Sequence, residues 1–143
     1  MPIKRTAQAH WNGPIREGKG TLTAPGGALK NTPYSFASRF ENGAGTNPEE
    51  LIAAAHAGCF TMAFSLFLGK QGFTPTSLDT TATLTMDQAG EGFVISAIHL
   101  EVTGQVPRLD QAKFEAIAAD AKANCPVSRV LNAKITMTAK LVS

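Results

Sequence analysis

The chain has 143 residues, 43% hydrophobic and 17% charged, which fits one soluble domain over residues 1–143 with a sizeable core. Thirteen Lys and Arg against eleven Asp and Glu leave a net charge of +2. That charge, scattered as singles and pairs, is too weak for a nucleic-acid or membrane-surface partner.

The start, MPIKRTAQAHW, carries basic residues without an apolar run behind them. It does not read as an export signal, so a cytoplasmic protein is expected. In a reducing cytosol the two cysteines, Cys59 and Cys125, are either inert core residues or a redox pair. The first forty residues read as β. TAQAHW, GTLTA and YSFASRF are separated by the breakers GP, PGG and NTP. In YSFASRF the alternation places Tyr34, Phe36 and Phe40 on one strand face and Ser35, Ala37 and Arg39 on the other.

GTNPEELIAAAHAGCF, Gly45 to Phe60, opens a long helix. Thr46 or Asn47 is the N-cap, Pro48 suits the first helical position, and Glu49 and Glu50 complement the positive end of the helix dipole. The helix is expected to run to about Gly69. Its apolar run is interrupted by His56, Thr61 and Ser65, so it reads as a buried helix rather than a membrane span. Being apolar on nearly every side, it should be buried on nearly every side, by sheets or by another chain.

TSLDTTATLTMD and FVISAIHLEVTGQV alternate at period two around a turn at Gly90–Gly92. Asp110 caps DQAKFEAIAADAKAN, with Phe114, Ile117, Ala118 and Ala121 on one stripe. Asn124-Cys125-Pro126 ends that helix, VSRVL is a short helical piece, and KITMTAKLV is the last strand. The order is β-rich, helix, hairpin, helix, strand, which is an α+β class.

The bland reading of a cysteine on an apolar helix is packing, and apolar surroundings raise a thiol pKa unless a cation lies beside it. Cys59 fits that description. Cys125 stands at or next to a helix N-cap, where thiolate is favoured, so physics alone makes it the more activated thiol. His56 precedes Cys59 by three residues and shares its surface, but a satisfied core histidine is the favoured reading over a Cys–His nucleophile pair. His10, His56 and His99 form no zinc-like spacing with the cysteines, and Gly-Ala-Gly before Thr46 lacks the Lys-Ser/Thr of a phosphate loop.

Taken together, GTNPEELIAAAHAGCF, the distant NCPVS, AHWNG, YSFASRFENG and LGKQGFTPTSLDTTA resemble the OsmC/Ohr family, the osmotically inducible protein C and organic hydroperoxide resistance proteins. The resemblance covers essentially the whole chain and is closest to the OsmC branch. It implies an OsmC-like α+β fold, with antiparallel sheets around a long buried central helix, in an intertwined homodimer. It also implies a cysteine-based peroxidase that reduces organic hydroperoxides without metal, haem or flavin. Cys59 matches the peroxidatic cysteine, Cys125 the resolving one, and Glu49 the carboxylate that holds an arginine over the reactive sulfur. Arg39 fits the OsmC pattern for that arginine, while Arg16, in PIREGKG, stands where the Ohr branch carries its own. An external dithiol, of lipoyl type by resemblance, would reduce the Cys59–Cys125 disulfide. The alternatives are an OsmC-fold small-molecule binder and a thiol redox sensor without turnover.

Glu49 and Cys59 are ten residues apart on one expected helix. That separates them by roughly 15 Å along the axis and about 80° around it. A site combining Cys59 of one chain with Glu49 of a second chain, two sites per dimer, resolves the gap. A helix broken between the two residues would also resolve it.

Overall fold

A computed structural model describes residues 1–142. The chain divides into two compact units, Met1–Leu51 and Ile52 onward, with the boundary inside the long helix.

In the first unit, β1 (Gln8–Asn12), β2 (Lys19–Thr23) and β3 (Thr32–Tyr34) form an antiparallel sheet in that order. Gly20 on the middle strand pairs with Trp11 on one side and Tyr34 on the other. The two rings close over it, with centroids 5.6 Å apart. A Cβ at Gly20 would lie 2.5 Å from Tyr34 and 2.6 Å from Trp11, so the bare backbone is what admits the aromatic pair.

The strand expected over YSFASRF stops at Tyr34; Phe36–Phe40 is instead a helix, α1. The cause is local. Ser35 Oγ accepts from Ser38 N–H at 3.1 Å, and Ser38 Oγ accepts from Ser35 N–H at 2.8 Å, a reciprocal capping box. Phe36 and Phe40, read as alternate residues of a strand face, meet one helical turn apart with centroids at 5.0 Å.

The long helix, α2, spans Pro48–Lys70 without interruption. Asn47 is its cap, since Asn47 Oδ1 accepts from Glu50 N–H at 2.7 Å. Thr46 contributes differently, donating its hydroxyl to Glu50 Oε2 at 2.7 Å. The expected Pro48 position and the acidic first turn are both present. Length and composition would let this helix cross a bilayer. Its buried residues, His56, Phe60, Phe64 and Leu68, recur every four positions and mark one stripe facing the core. Burial on nearly every side does not occur within one chain: Met62 and Leu66 remain 77% and 56% exposed. One layer of strands and helix covers one face of the helix.

The second unit contains the hairpin β4 (Ser77–Ala89) and β5 (Gly92–Gln105), antiparallel with a bulge at Thr85/Met86. Next come α3 (Gln111–Asn124), α4 (Pro126–Val130) and β6 (Lys134–Val142). The expectation of purely antiparallel sheets needs one correction: β6 pairs with β5 in parallel. The helical crossover α3–α4 carries the chain back, so β6 re-enters in the direction of β5. Asp110 caps α3 by accepting from Lys113 N–H at 2.8 Å.

The core of this unit joins Phe60, Phe64 and Leu68 of α2, Ile98, Leu100 and Val102 of β5, and Phe114, Ile117, Ala118 and Ala121 of α3. Phe64 and Phe114 meet edge to face at 4.9 Å. Phe64→Ala is expected to cost about 3–5 kcal/mol, through lost transfer energy and a cavity that this rigid setting cannot fill. Urea unfolding checks it; a cost below about 1 kcal/mol would mean that the core collapses around the gap.

Candidate functional site

In the first unit the structure gathers the charged pair. α1 and the cap of α2 are clasped by two bonds through Ser38, and a third ties Ser38 to the α1 cap. Its Oγ donates to Thr46 O at 2.8 Å, its O accepts from Asn47 Nδ2 at 2.9 Å, and its Oγ caps Ser35. Ser38 is buried. The clasp sets Arg39 against Glu49: Nε and Nη2 each donate to one carboxylate oxygen at 3.0 Å. Such a fork-to-fork pair fixes the guanidinium plane as well as its position. Arg39 keeps part of its side chain in solvent (41% exposed) while Glu49 is largely covered (13%). The Arg39 guanidinium also lies over the Phe40 ring, 5.2 Å from the centroid.

Arg16 does not share this pair. Its guanidinium lies over the Phe36 ring, 4.6 Å from the centroid. Of the two arginines the sequence offers, Arg39 is the one Glu49 holds.

In the second unit the structure gathers the sulfurs. Cys59 on α2 and Cys125 between α3 and α4 are both free thiols, partly buried and fully buried respectively. Although 66 positions apart in the sequence, they lie near enough for each to shift the other's acidity. Cys125 serves two helices at once. It ends α3, donating its backbone N–H to Ala121 O, and begins α4, where its sulfur accepts from Ser128 N–H at 3.4 Å. Pro126 at the first helical position enforces that junction, because it cannot continue α3 and suits the start of α4.

The two thiols are driven apart in acidity. Burial pushes the Cys59 thiol up; the Val127 amide pulls it down by less, and the neighbouring Cys125 sulfur adds to the rise. For Cys125 burial also acts upward and is the largest single influence. The bonds from the Ser128 side chain and amide, from Cys59 and from the Val127 amide together outweigh it, so its pKa lies below the ordinary value. The order reached from sequence physics, with Cys125 the more acidic, is therefore the order within one chain.

His56 departs from a satisfied core histidine. It is fully buried, its Nε2 lies 2.7 Å from Ser128 Oγ, and its Nδ1 is buried without a hydrogen-bond partner among the described residues. Burial holds its pKa below the usual histidine value, so the ring is neutral near pH 7. The sequence reading assigned no role to Ser128. The available signal was its place two residues after Pro126, which makes it the residue whose amide a capping Cys125 must meet.

Comparison with known proteins supplies the family. The family model for "OsmC-like protein" matches residues 41–140. The chain is 52% identical to Peroxiredoxin OsmC of Escherichia coli strain K12 over 143 residues, all of both proteins. It is 30% identical to Organic hydroperoxide resistance protein OhrA of Bacillus subtilis strain 168 over 94 residues, 65% of this chain and 64% of that protein. Among solved structures, an OsmC-like protein from Mycoplasma pneumoniae superposes with a TM-score of 0.76 at 17% identity, covering 100% of both chains; this likeness concerns the fold. The resemblance carried by GTNPEELIAAAHAGCF and NCPVS is thus met by the family model, by a full-length relative and by the fold, and the chain belongs to the OsmC-like protein family.

Proposed function

We propose that this protein is a cysteine-based peroxidase that reduces organic hydroperoxides to alcohols, with Cys59 as the attacking sulfur and Cys125 as the resolving one. The observation that carries the reading is the proximity of two free thiols so far apart in the chain, one partly accessible and one sealed in the core. A hydroperoxide can reach only the accessible sulfur. The Cys59 thiolate attacks the outer peroxide oxygen, the O–O bond breaks, and an alcohol departs with a proton. Cys59 is left as a sulfenic acid, and Cys125 condenses with it to a disulfide and water. A dithiol then reduces the disulfide by exchange. The relatives' names, peroxiredoxin and organic hydroperoxide resistance protein, support the reaction class.

Cys59 needs a cation to become a thiolate, since burial alone raises its pKa. The forked Arg39–Glu49 pair is suited to supply it. Its partly exposed guanidinium can also stabilise charge developing on the departing oxygen. Because α2 is unbroken from Pro48 to Lys70, the roughly 15 Å between Glu49 and Cys59 remains, and the broken-helix alternative lapses. We therefore assign the pair at each Cys59 to the partner subunit of a homodimer. By helical spacing Cys59 shares a face with Met62 and Leu66, the apolar residues that one chain leaves exposed. That face suits both a second copy and a greasy substrate.

Bulky alkyl hydroperoxides are expected to react at least about tenfold faster than hydrogen peroxide, because each buried apolar Å² contributes about 25 cal/mol. Second-order rate constants with excess dithiol, for the wild type and for Cys59→Ser, test the whole reading. Equal rates would remove the greasy site, and turnover by Cys59→Ser would remove the mechanism.

A further inference from the structure

The peroxidase reading uses Cys125 but leaves unexplained a fully buried histidine that touches it only through a serine. His56 projects from α2 one turn before Cys59 and meets Ser128 Oγ at 2.7 Å. Ser128 lies in α4, where its amide donates to the Cys125 sulfur at 3.4 Å and its side chain is near enough to lower that sulfur's pKa. Three side chains from two separate segments thus form one line, His56–Ser128–Cys125, ending on the sulfur that must close the disulfide.

The direction of that line follows from the His56 tautomer. With the proton on Nδ1, a buried N–H would have no partner, one of the costlier defects a protein interior can carry. With the proton on Nε2, the unpartnered atom is an acceptor, which is the cheaper omission. A doubly protonated ring is disfavoured by burial. His56 therefore donates Nε2–H to Ser128 Oγ. The serine oxygen, already accepting, is left to donate its own proton, and the Cys125 sulfur, held by the Ser128 amide at 3.4 Å, is the nearby acceptor.

We propose that His56 and Ser128 are positioning residues for the resolving step. The imidazole fixes the Ser128 hydroxyl so that its proton points at Cys125 Sγ and stabilises that sulfur as a thiolate aimed at Cys59. This rests on the peroxidase reading for its purpose, though not for its geometry.

The step balances without a further reactant. The Cys125 thiolate attacks the Cys59 sulfenic sulfur, the S–S bond forms and the S–O bond breaks. The departing hydroxide takes up the proton that Cys125 had released, giving water. The Cys125 sulfur is oxidised and the Cys59 sulfur is reduced by the same amount. The donor line matters because the Cys125 sulfur is fully buried, with no water to solvate its charge. The groups acting on it are Cys59 from α2, the Val127 and Ser128 amides and the Ser128 hydroxyl from α4, and His56 through that hydroxyl.

The test has two arms. In a Cys59→Ser background the only remaining thiol is Cys125, and its titration is followed by thiolate ultraviolet absorbance, which needs neither peroxide nor reagent access. Ser128→Ala, which keeps the amide bond, should raise the titration midpoint by about one pH unit, the effect of losing one hydrogen bond to a charged group. Ser128→Thr, which keeps a hydroxyl, should restore it, and His56→Phe should shift it in the same direction as Ser128→Ala. In the second arm, with Cys59 present, quenched-flow mass measurements separate sulfenic acid formation from disulfide closure. Ser128→Ala should slow closure about tenfold near pH 7 and leave sulfenic acid formation nearly unchanged. Circular dichroism and the Tm establish that each variant is folded.

An unchanged midpoint in folded Ser128→Ala overturns the proposal whatever the peroxide result. A shifted midpoint in a protein that forms no sulfenic acid at Cys59 instead retires the peroxidase reading and keeps the hydrogen-bond line. If His56→Phe leaves the midpoint alone while Ser128→Ala moves it, the serine acts by itself and the role of His56 is refuted.

Discussion

Cys59→Ser is expected to abolish consumption of alkyl hydroperoxide, whereas Cys125→Ser should react once and stop. The two losses differ because the two sulfurs are placed differently. Cys59 is partly exposed on α2 and Cys125 is fully enclosed. Serine at 59 leaves only the enclosed thiol and removes the accessible one. A hydroxyl is too weakly acidic to replace it, so the rate should fall to the uncatalysed level. Serine at 125 leaves the first step intact and strands a sulfenic acid, because no second thiol lies against it. Mass spectrometry after one equivalent of hydroperoxide and a dimedone-type trap separates the cases: an adduct on Cys125→Ser and none on Cys59→Ser. The acidity order within one chain, Cys59 raised and Cys125 lowered, makes this a demanding test. Were acidity alone to decide, the adduct would appear on Cys125 of the Cys59→Ser protein, and the assigned roles would be reversed.

Mixing two inactive chains should recover activity. Glu49→Ala removes both oxygens that hold the Arg39 guanidinium, and a loss of about 100-fold or more is expected, on the scale of deleting one preorganised charge-stabilising contact. Cys59→Ser removes the sulfur. If each site takes its Cys59 from one subunit and its Glu49 from the other, a heterodimer of these variants has one site with both defects and one with neither. Differently tagged chains, unfolded together, refolded and purified through both tags, should therefore show about half the wild-type turnover per dimer. Heterodimers as inactive as their parents would locate Glu49 and Cys59 of each site in the same chain. A monomer by light scattering at micromolar concentration would remove the shared site altogether.

Much of the local structure was legible in the sequence because its causes are local. The cap at Asn47, Pro48 after it, Asp110 three residues before the Lys113 amide, and the break at Cys125-Pro126 all follow from which side chains can satisfy free helix-end groups. The α3 stripe of Phe114, Ile117, Ala118 and Ala121 is buried as its spacing implies. The one misread element, Arg39's segment, is instructive. Five residues of apolar alternation were outweighed by two serines that cap each other, and α1 turned what looked like a polar strand face into a platform for the Arg39–Glu49 fork.

Residue types and spacing by themselves determined the family resemblance, the helix that carries both Glu49 and Cys59, and the expectation that Cys125 is the more acidic thiol. These are properties of short segments, where backbone geometry and end effects dominate. Only the tertiary structure decided which arginine Glu49 holds, that β6 runs parallel to β5, and that His56 and Ser128 stand in line behind Cys125. The proximity of Cys59 and Cys125 is also decided there. Each joins groups whose encounter depends on how elements pack, and packing is set by summed apolar burial over the whole unit rather than by any local run. The exposed Met62 and Leu66 mark where packing within one chain ends: the sequence made that helix apolar all round, and a single copy of the chain covers only one side of it.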